Sequence, residues 1–213
     1  TLLTEKNQWE RNEFNTNYAI SKYKGEMEVW RAMAEGLNAA IVNPSVILGS
    51  GFWDRGPAGF FQKIWDGLRF YPPGATGFVD VRDVTAFMIR LMESDFQQER
   101  FILNANNESY LNIFTKIATV LDRPPPTILA NSLLRGLVWR AEWLRTKFSK
   151  KRPLITRETV SSSARTWSFD NQKSRATFPD FQYTPIVKTI AETGKQFKIA
   201  ATNHFPPTLL PPK

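Results

Sequence analysis

The chain has 213 residues, with 28 Lys+Arg against 20 Asp+Glu, one histidine and no cysteine. Without cysteine there is no thiolate nucleophile, disulfide, iron-sulfur cluster or thiolate zinc site, and His204 stands alone in a Pro-rich tail, so no metal centre and no Ser-His-Asp triad are expected. Proton transfer must fall to carboxylates, Lys or Tyr. A hydrophobic share of 42% suits a packed core. No apolar run approaches the roughly 20 residues that cross a bilayer, and the N-terminus lacks signal-peptide form, so cytoplasmic placement is the default expectation.

Residues 1–16 read as polar and turn-like. A 3.6-residue period then predicts a helix from about Asn17 to Glu35, with Ile20, Tyr23, Met27, Trp30 and Met33 on one side, Thr16 or Asn17 as cap and Gly36 as stop. Leu37–Pro44 is a short apolar run ended by proline, which suits a strand buried on both faces of a parallel sheet. Further elements are expected as a helix over 59–68, a strand over 78–82, a helix capped by Asp83 and running to Met92, and a strand over 100–104. Helices near 111–121, 131–147, 156–163, 171–177 and 185–198 follow, and then a Pro-rich tail over 203–213.

The charge is uneven. Residues 1–130 carry 13 Lys+Arg against 15 Asp+Glu, whereas residues 131–213 carry 15 against 5. The basic peak from Arg135 to Arg152 is interleaved with Leu133, Leu137, Trp139 and Trp143. Such a stretch could touch an anionic membrane surface; the favoured reading is a helix whose apolar stripe packs on its own domain. No nucleic-acid motif accompanies it, and no nucleic-acid partner is expected.

The sharpest chemical feature is Tyr18-Ala-Ile-Ser-Lys22. At i and i+4 on a helix, an ammonium lies one turn from a phenol and stabilises its phenolate. The wider stretch Asn17-Tyr18-Ala-Ile-Ser21-Lys22-Tyr-Lys-Gly-Glu26 resembles the Tyr-x-x-Ser-Lys-x-x-x-Glu signature of the extended short-chain dehydrogenase/reductases, the NAD-dependent epimerase/dehydratase superfamily. Val42–Gly49, Gly77–Val84 and the Trp167–Pro185 region agree with that family in order and spacing, and Asn43-Pro44-Ser45-Val46 is similar to its dihydroflavonol-reductase and 3β-hydroxysteroid-dehydrogenase branch.

The resemblance implies an α/β fold: the C-terminal part of a Rossmann-type doubly wound parallel sheet plus a small, mostly helical substrate-binding subdomain. Residues 1–50 would be the remaining Rossmann part, and 51–213 a mixed region with late Rossmann elements near 78–105. NAD or NADP is the implied cofactor, and a small, hydrophobic molecule the implied substrate. Tyr18 would be the acid/base; Lys22 would hold its phenolate and the nicotinamide ribose; Pro44, Ser45 and Val46 would pack on the nicotinamide. Asn17, Ser50, Phe52 and Trp53 are candidate substrate contacts. Asp80 and Asp83 read as structural, because a strand-to-helix junction needs a cap.

The implied reaction interconverts a carbonyl and a secondary alcohol. A nucleotide-sugar epimerase or dehydratase, or a non-catalytic family member, are the alternatives, and a homodimer through paired helices follows by analogy with related folds. The glycine-rich pyrophosphate turn is absent from these 213 residues. The expectation is therefore that a preceding N-terminal portion supplies it and that these residues alone neither hold the cofactor tightly nor turn over. Calorimetric titration of the 213-residue chain with NAD(H) and NADP(H) should show no low-micromolar binding; such binding would overturn the expectation.

Overall fold

The computed structural model describes residues 2–10, 15–130 and 162–203. The helix expected over 131–147, nearly all of that over 156–163, the basic stretch and His204 lie outside them. In chain order the elements are β1 (Leu2–Leu3), α1 (Asn17–Ala34), β2 (Ala40–Pro44), β3 (Val46–Leu48), α2 (Gly59–Trp65), β4 (Phe70–Tyr71), β5 (Ala75–Asp80), α3 (Val81–Met92), β6 (Glu99–Leu103), β7 (Asn106–Ser109), α4 (Tyr110–Leu121), β8 (Ile128–Leu129), β9 (Ser168–Phe169), α5 (Gln172–Thr177) and α6 (Ile186–Thr202).

Helix α1 begins and ends where its sequence dictates. Thr16 Oγ1 accepts the Ala19 N–H at 3.0 Å. At the other end Gly36 adopts φ 106°, and the Gly36 and Leu37 N–H groups close onto the carbonyls of Met33 and Ala32. That pairing needs a left-handed residue after the helix, which glycine supplies without a Cβ clash. The expected apolar side is less buried than its period suggests: within α1 only Met33 is buried, and Ile20, Tyr23 and Trp30 remain partly open.

Four corrections to the sequence reading concern neighbouring segments. The N-terminal residues are not all turn: β1 pairs in parallel with β9, Leu2 opposite Ser168. Strand β2 is half-buried rather than enclosed, because among the described residues it pairs with β6 alone, Ala40 opposite Glu99 through Pro44 opposite Leu103. The strand expected at 78–82 is β5, which starts at Ala75 and ends at Asp80. Helix α3 is therefore capped by Asp80, not Asp83: the Asp80 carboxylate accepts the Arg82 N–H at 2.7 Å, and Asp83 falls inside the first turn.

One extended stretch organises the sheets. Chain β2 runs along β6 up to Pro44, the Ser45 N–H still donates to Leu103 O at 2.9 Å, and then β3 pairs with β5, Val46 opposite Phe78. Strand β7 returns antiparallel on the far edge of β5. Apolar side chains gather accordingly into two clusters. One holds Val79, Val84, Phe87, Phe101, Leu103, Phe181 and Tyr183 around β6 and α3; the other holds Leu48, Phe61, Phe78, Ile113, Ile117, Ile190 and Phe197 among α2, α4 and α6.

The β5–α3 junction ties the last helix to the sheet. Asp80 is 1% exposed; it accepts from Arg82 Nη2 at 2.6 Å and from the Thr189 hydroxyl of α6 at 2.8 Å, and Arg82 continues to Glu192 of α6 at 2.6 Å. Buried Asp83 accepts from both the backbone N–H and the hydroxyl of Thr184, at 2.7 and 2.8 Å. Burial pushes both carboxyls up. For Asp80 the bonds from Arg82 and Thr189 outweigh it and hold the group below the ordinary carboxylate value; for Asp83 burial wins over the Thr184 bonds, helped by the charge of Asp80.

The sign for Asp80 follows from linkage: a depressed folded-state value adds stability that is complete above the unfolded carboxylate's pKa and is lost as pH falls through the folded one. Asp80→Asn should cost about 1.5–3 kcal/mol at pH 7. In urea unfolding the gap to the unsubstituted protein should narrow steadily below about pH 4. A gap independent of pH would show that the carboxylate charge is not what holds α6.

Candidate functional site

Tyr18 and Lys22 stand on the first turns of α1, both exposed, with the Lys22 ammonium 5.9 Å from the centre of the Tyr18 ring. Ser21, also exposed, has its hydroxyl engaged, donating to the Tyr18 carbonyl at 2.8 Å. Helix α1 is fastened to the sheet by Glu26, one turn beyond Lys22. Its carboxylate accepts from Trp30 Nε1 at 3.1 Å, Asn43 Nδ2 at 3.0 Å and Arg100 Nη1 at 3.2 Å. Arg100, on β6, also donates to the carbonyls of Glu5 and Asn7, so one guanidinium joins the N-terminal segment, the helix and the sheet.

Between these parts lies a cleft of about 1290 Å³, bordered by residues 4–9, the Lys22–Tyr23–Glu26–Trp30 side of α1, and Arg100 and Lys173. Trp9 stacks on Tyr23 with ring centres 4.6 Å apart. The helix side that the period assigns to a core thus faces this cleft.

Pro44, Ser45 and Val46 occupy the point where the extended chain passes from β6 to β5, at the carboxyl ends of the parallel pair β2–β6. In open α/β sheets ligands bind outside that end of the strands. Asn104, 1% exposed, fixes the passage: its Oδ1 accepts from the Ser45 hydroxyl at 3.0 Å, its Nδ2 donates to Asn107 Oδ1 and to the Phe169 carbonyl, and its own carbonyl accepts from Asn171 at 2.6 Å. Gly77 makes room for this arrangement. A Cβ there would lie 2.4 Å from Asn104 Oδ1 and 2.8 Å from Ser45 Cβ. The sequence carries only a faint sign of Asn104, a polar residue closing an apolar strand.

One buried acceptor next to this passage lacks a donor. Asn43, directly before Pro44, has its Nδ2 engaged with Glu26, while its buried Oδ1 has no donor among the described residues. An amide N–H is the kind of group it lacks.

The candidate substrate contacts separate. Phe52 is exposed under the Arg55 guanidinium at 4.4 Å, and Asn17 and Ser50 border neither cavity. Trp53 is 2% exposed and packs edge-on against Phe61 and Phe197, yet it also lines a second cavity of about 480 Å³ with Val46, Phe60, Tyr71, Tyr110 and Phe114. Tyr110 and Phe114 have no functional motif in the sequence; only the packing of α4 against α2 brings them there. No group of three or more potential metal ligands occurs among the described residues, and no helix there is long and apolar enough to cross a membrane.

A mixed α/β chain with parallel strands, and an exposed Tyr-x-x-x-Lys helix beside the strand passage, define a Rossmann-type protein of the extended short-chain dehydrogenase/reductase class. The sequence profile of the male sterility protein family, an NAD-binding family, matches residues 1–110, and the chain belongs to it. It is 28% identical over 142 residues to sterol demethylase protein B of Methylococcus capsulatus, covering 64% of this chain and 43% of the relative. A putative dihydroflavonol 4-reductase of Synechocystis is 27% identical over 168 residues, covering 74% and 48%. The fold matches a nucleoside-diphosphate-sugar epimerase from Pseudomonas aeruginosa with TM-score 0.73 at 17% identity, over 92% of this chain and 60% of the other. The chain spans somewhat less than half the length of both curated relatives.

Glu26→Gln leaves the Arg100 guanidinium, 27% exposed, without its carboxylate partner. The loss should be about 1–3 kcal/mol in denaturant unfolding. A change below about 0.3 kcal/mol would remove Glu26 from its place as the fastening of α1.

Proposed function

We propose that the whole protein is an NAD(P)-dependent oxidoreductase that interconverts a carbonyl and a secondary alcohol, with Tyr18 as acid/base and Lys22 as its electrostatic partner. The observation that carries this reading is the pair itself: a phenol and an ammonium one turn apart, both open to solvent, on a helix fastened beside the carboxyl ends of parallel strands. When bound, the nicotinamide supplies or accepts the hydride at the substrate carbon.

In the reducing direction the Tyr18 hydroxyl donates its proton to the carbonyl oxygen as that carbon gains the hydride. The Lys22 ammonium then faces a phenolate, a charge it stabilises at short range. In the oxidising direction the phenolate takes the alcohol proton. Pro44 and Val46 offer an apolar wall, and Ser45 is held in place by Asn104 rather than free to react. Asn43 would meet the nicotinamide amide, and Lys22 the ribose.

Tyr18→Phe in the full-length enzyme should lower kcat about 10²–10⁴-fold. KM and the melting temperature should stay nearly constant, because among the described residues no hydrogen bond reaches the exposed hydroxyl. Activity within threefold of the unsubstituted enzyme would reject Tyr18 as acid/base. Stoichiometry separates the main alternative: a reductase oxidises one NAD(P)H per alcohol formed, whereas an epimerase consumes none.

A further inference from the structure

Helix α3 is apolar on two sides. Val84, Phe87 and Leu91 are buried in the cluster around β6. A second row, Val81, Met88, Ile89 and Met92, is 41%, 45%, 49% and 84% exposed. Thr85, also exposed, completes it, and its hydroxyl is already satisfied by the Val81 carbonyl at 3.0 Å. A helix apolar on one side is complete once that side is packed, whereas one apolar on two sides has room for a second neighbour. Among the described residues no element covers this row. The exposed apolar residues of the other helices stand well apart in sequence, as Tyr18 and Met27 do on α1 and Val187 and Ile199 on α6, and single residues of that kind are ordinary.

Val81, Thr85, Met88 and Met92 follow one another at steps of four, three and four residues, the spacing of the a and d positions of a heptad, with Ile89 beside the seam. Such a seam fits a copy of itself. Laid antiparallel about a two-fold axis, it sets Met92 of each copy on Val81 of the other and Met88 on Thr85, a long side chain against a short one in every layer. Charge favours the same direction. Glu93 and Asp95, just past the C-terminal end of α3, are exposed and have no ion pair among the described residues. Arg82, at the other end, is 57% exposed even though it reaches Asp80 and Glu192. An antiparallel pair brings the acids of one copy to the Arg82 end of the other, where the free N–H groups of the first turn also favour negative charge. A parallel pair would bring like charges together at both ends.

We propose that α3 is the contact of a symmetric dimer, its occupant a second copy of this chain lying antiparallel along Val81, Thr85, Met88 and Met92. The contact uses α3 rather than the tyrosine-bearing helix α1, and it does not depend on the oxidoreductase reading. A helix of 12 residues is about 18 Å long and covers less than the roughly 800 Å² per partner of a standard stable interface, so the pair should dissociate in about the micromolar range.

The test is sedimentation equilibrium of the full-length protein over about 1–200 µM, a range that brackets a micromolar dissociation constant. Met88→Lys should raise that constant at least about tenfold, and Ile199→Lys, at an exposed apolar position of α6, should leave it within about twofold. Both variants should keep the melting temperature of the dilute, unsubstituted protein, because both side chains are exposed. Thr85→Glu should weaken the dimer as well. An equimolar mixture of Thr85→Glu and Met88→Lys should then associate at least about fivefold more tightly than either variant alone, since the antiparallel register faces position 85 with position 88. A protein still monomeric at the top of the range, a dimer that Met88→Lys leaves unchanged, or a mixture without that gain would overturn the proposal. Two other ways of covering the row would overturn it too. A Met88→Lys monomer that melts several degrees lower would give the row to a segment of the same chain. Binding of the unsubstituted monomer to phosphatidylcholine–phosphatidylserine vesicles, lost in Met88→Lys, would give it to a membrane surface.

Discussion

The passage of one extended chain from β6 to β5 at Ser45 is the constraint on which the rest of the molecule depends. A strand that changes partners must give up one ladder before it gains the next, and buried backbone and side-chain polar groups at that step need substitutes. Asn104 provides them. Its amide and its carbonyl together meet Ser45, Asn107, Phe169 and Asn171, so the Ser45 step and the 169–171 segment converge on one 1% exposed residue and its local turn. The same step keeps β2 on one apolar cluster and lets β3 reach both, Ile47 on that cluster and Val46 and Leu48 on the other. It also leaves Pro44–Val46 as an open shelf at the strand ends, with α1 beside it.

Buried carboxylates here anchor rather than react. Asp80 and Asp83 are three residues apart, but their surroundings push them in opposite directions, because Asp80 has a guanidinium partner and Asp83 has only neutral donors. Both reach α6 or the turn before it, at Thr189 and Thr184. Since α6 also packs on α4, these two acids connect the strand system to the aromatic cavity wall. Glu26 does the equivalent for α1 through Arg100. Three carboxylates thus hold the two helices that flank the candidate site, while the Tyr18 side chain stays exposed beside them.

The candidate site was partly legible in the chain. Tyr18 and Lys22 could be read because an i, i+4 pair depends on local helical geometry alone, and Thr16 and Gly36 bound that helix by local chemistry. The Asp80 cap was misassigned to Asp83 by three residues: both are acids at one strand end, and the choice depends on where β5 loses its partner β3. Asn104, Gly77 and Tyr110 were not legible as site residues. Each matters through contacts with segments at least 27 residues away or through a helix face whose direction is set by packing.

By itself the sequence determined the chemistry available to this protein: no thiol, one tail histidine, and a phenol and ammonium at helical spacing beside a strand that ends in proline. It also determined most elements, since caps, stops and hydrophobic periods act within a few residues. The tertiary structure alone decided which faces those elements present. It turned one side of α1 toward a cleft, carried β2 across to a second partner at Ser45, and brought Trp53, Phe60 and Tyr110 around one cavity. The reason is physical: apolar pattern states that a face will be covered, while what covers it is settled by long-range packing and by where buried polar groups find their partners.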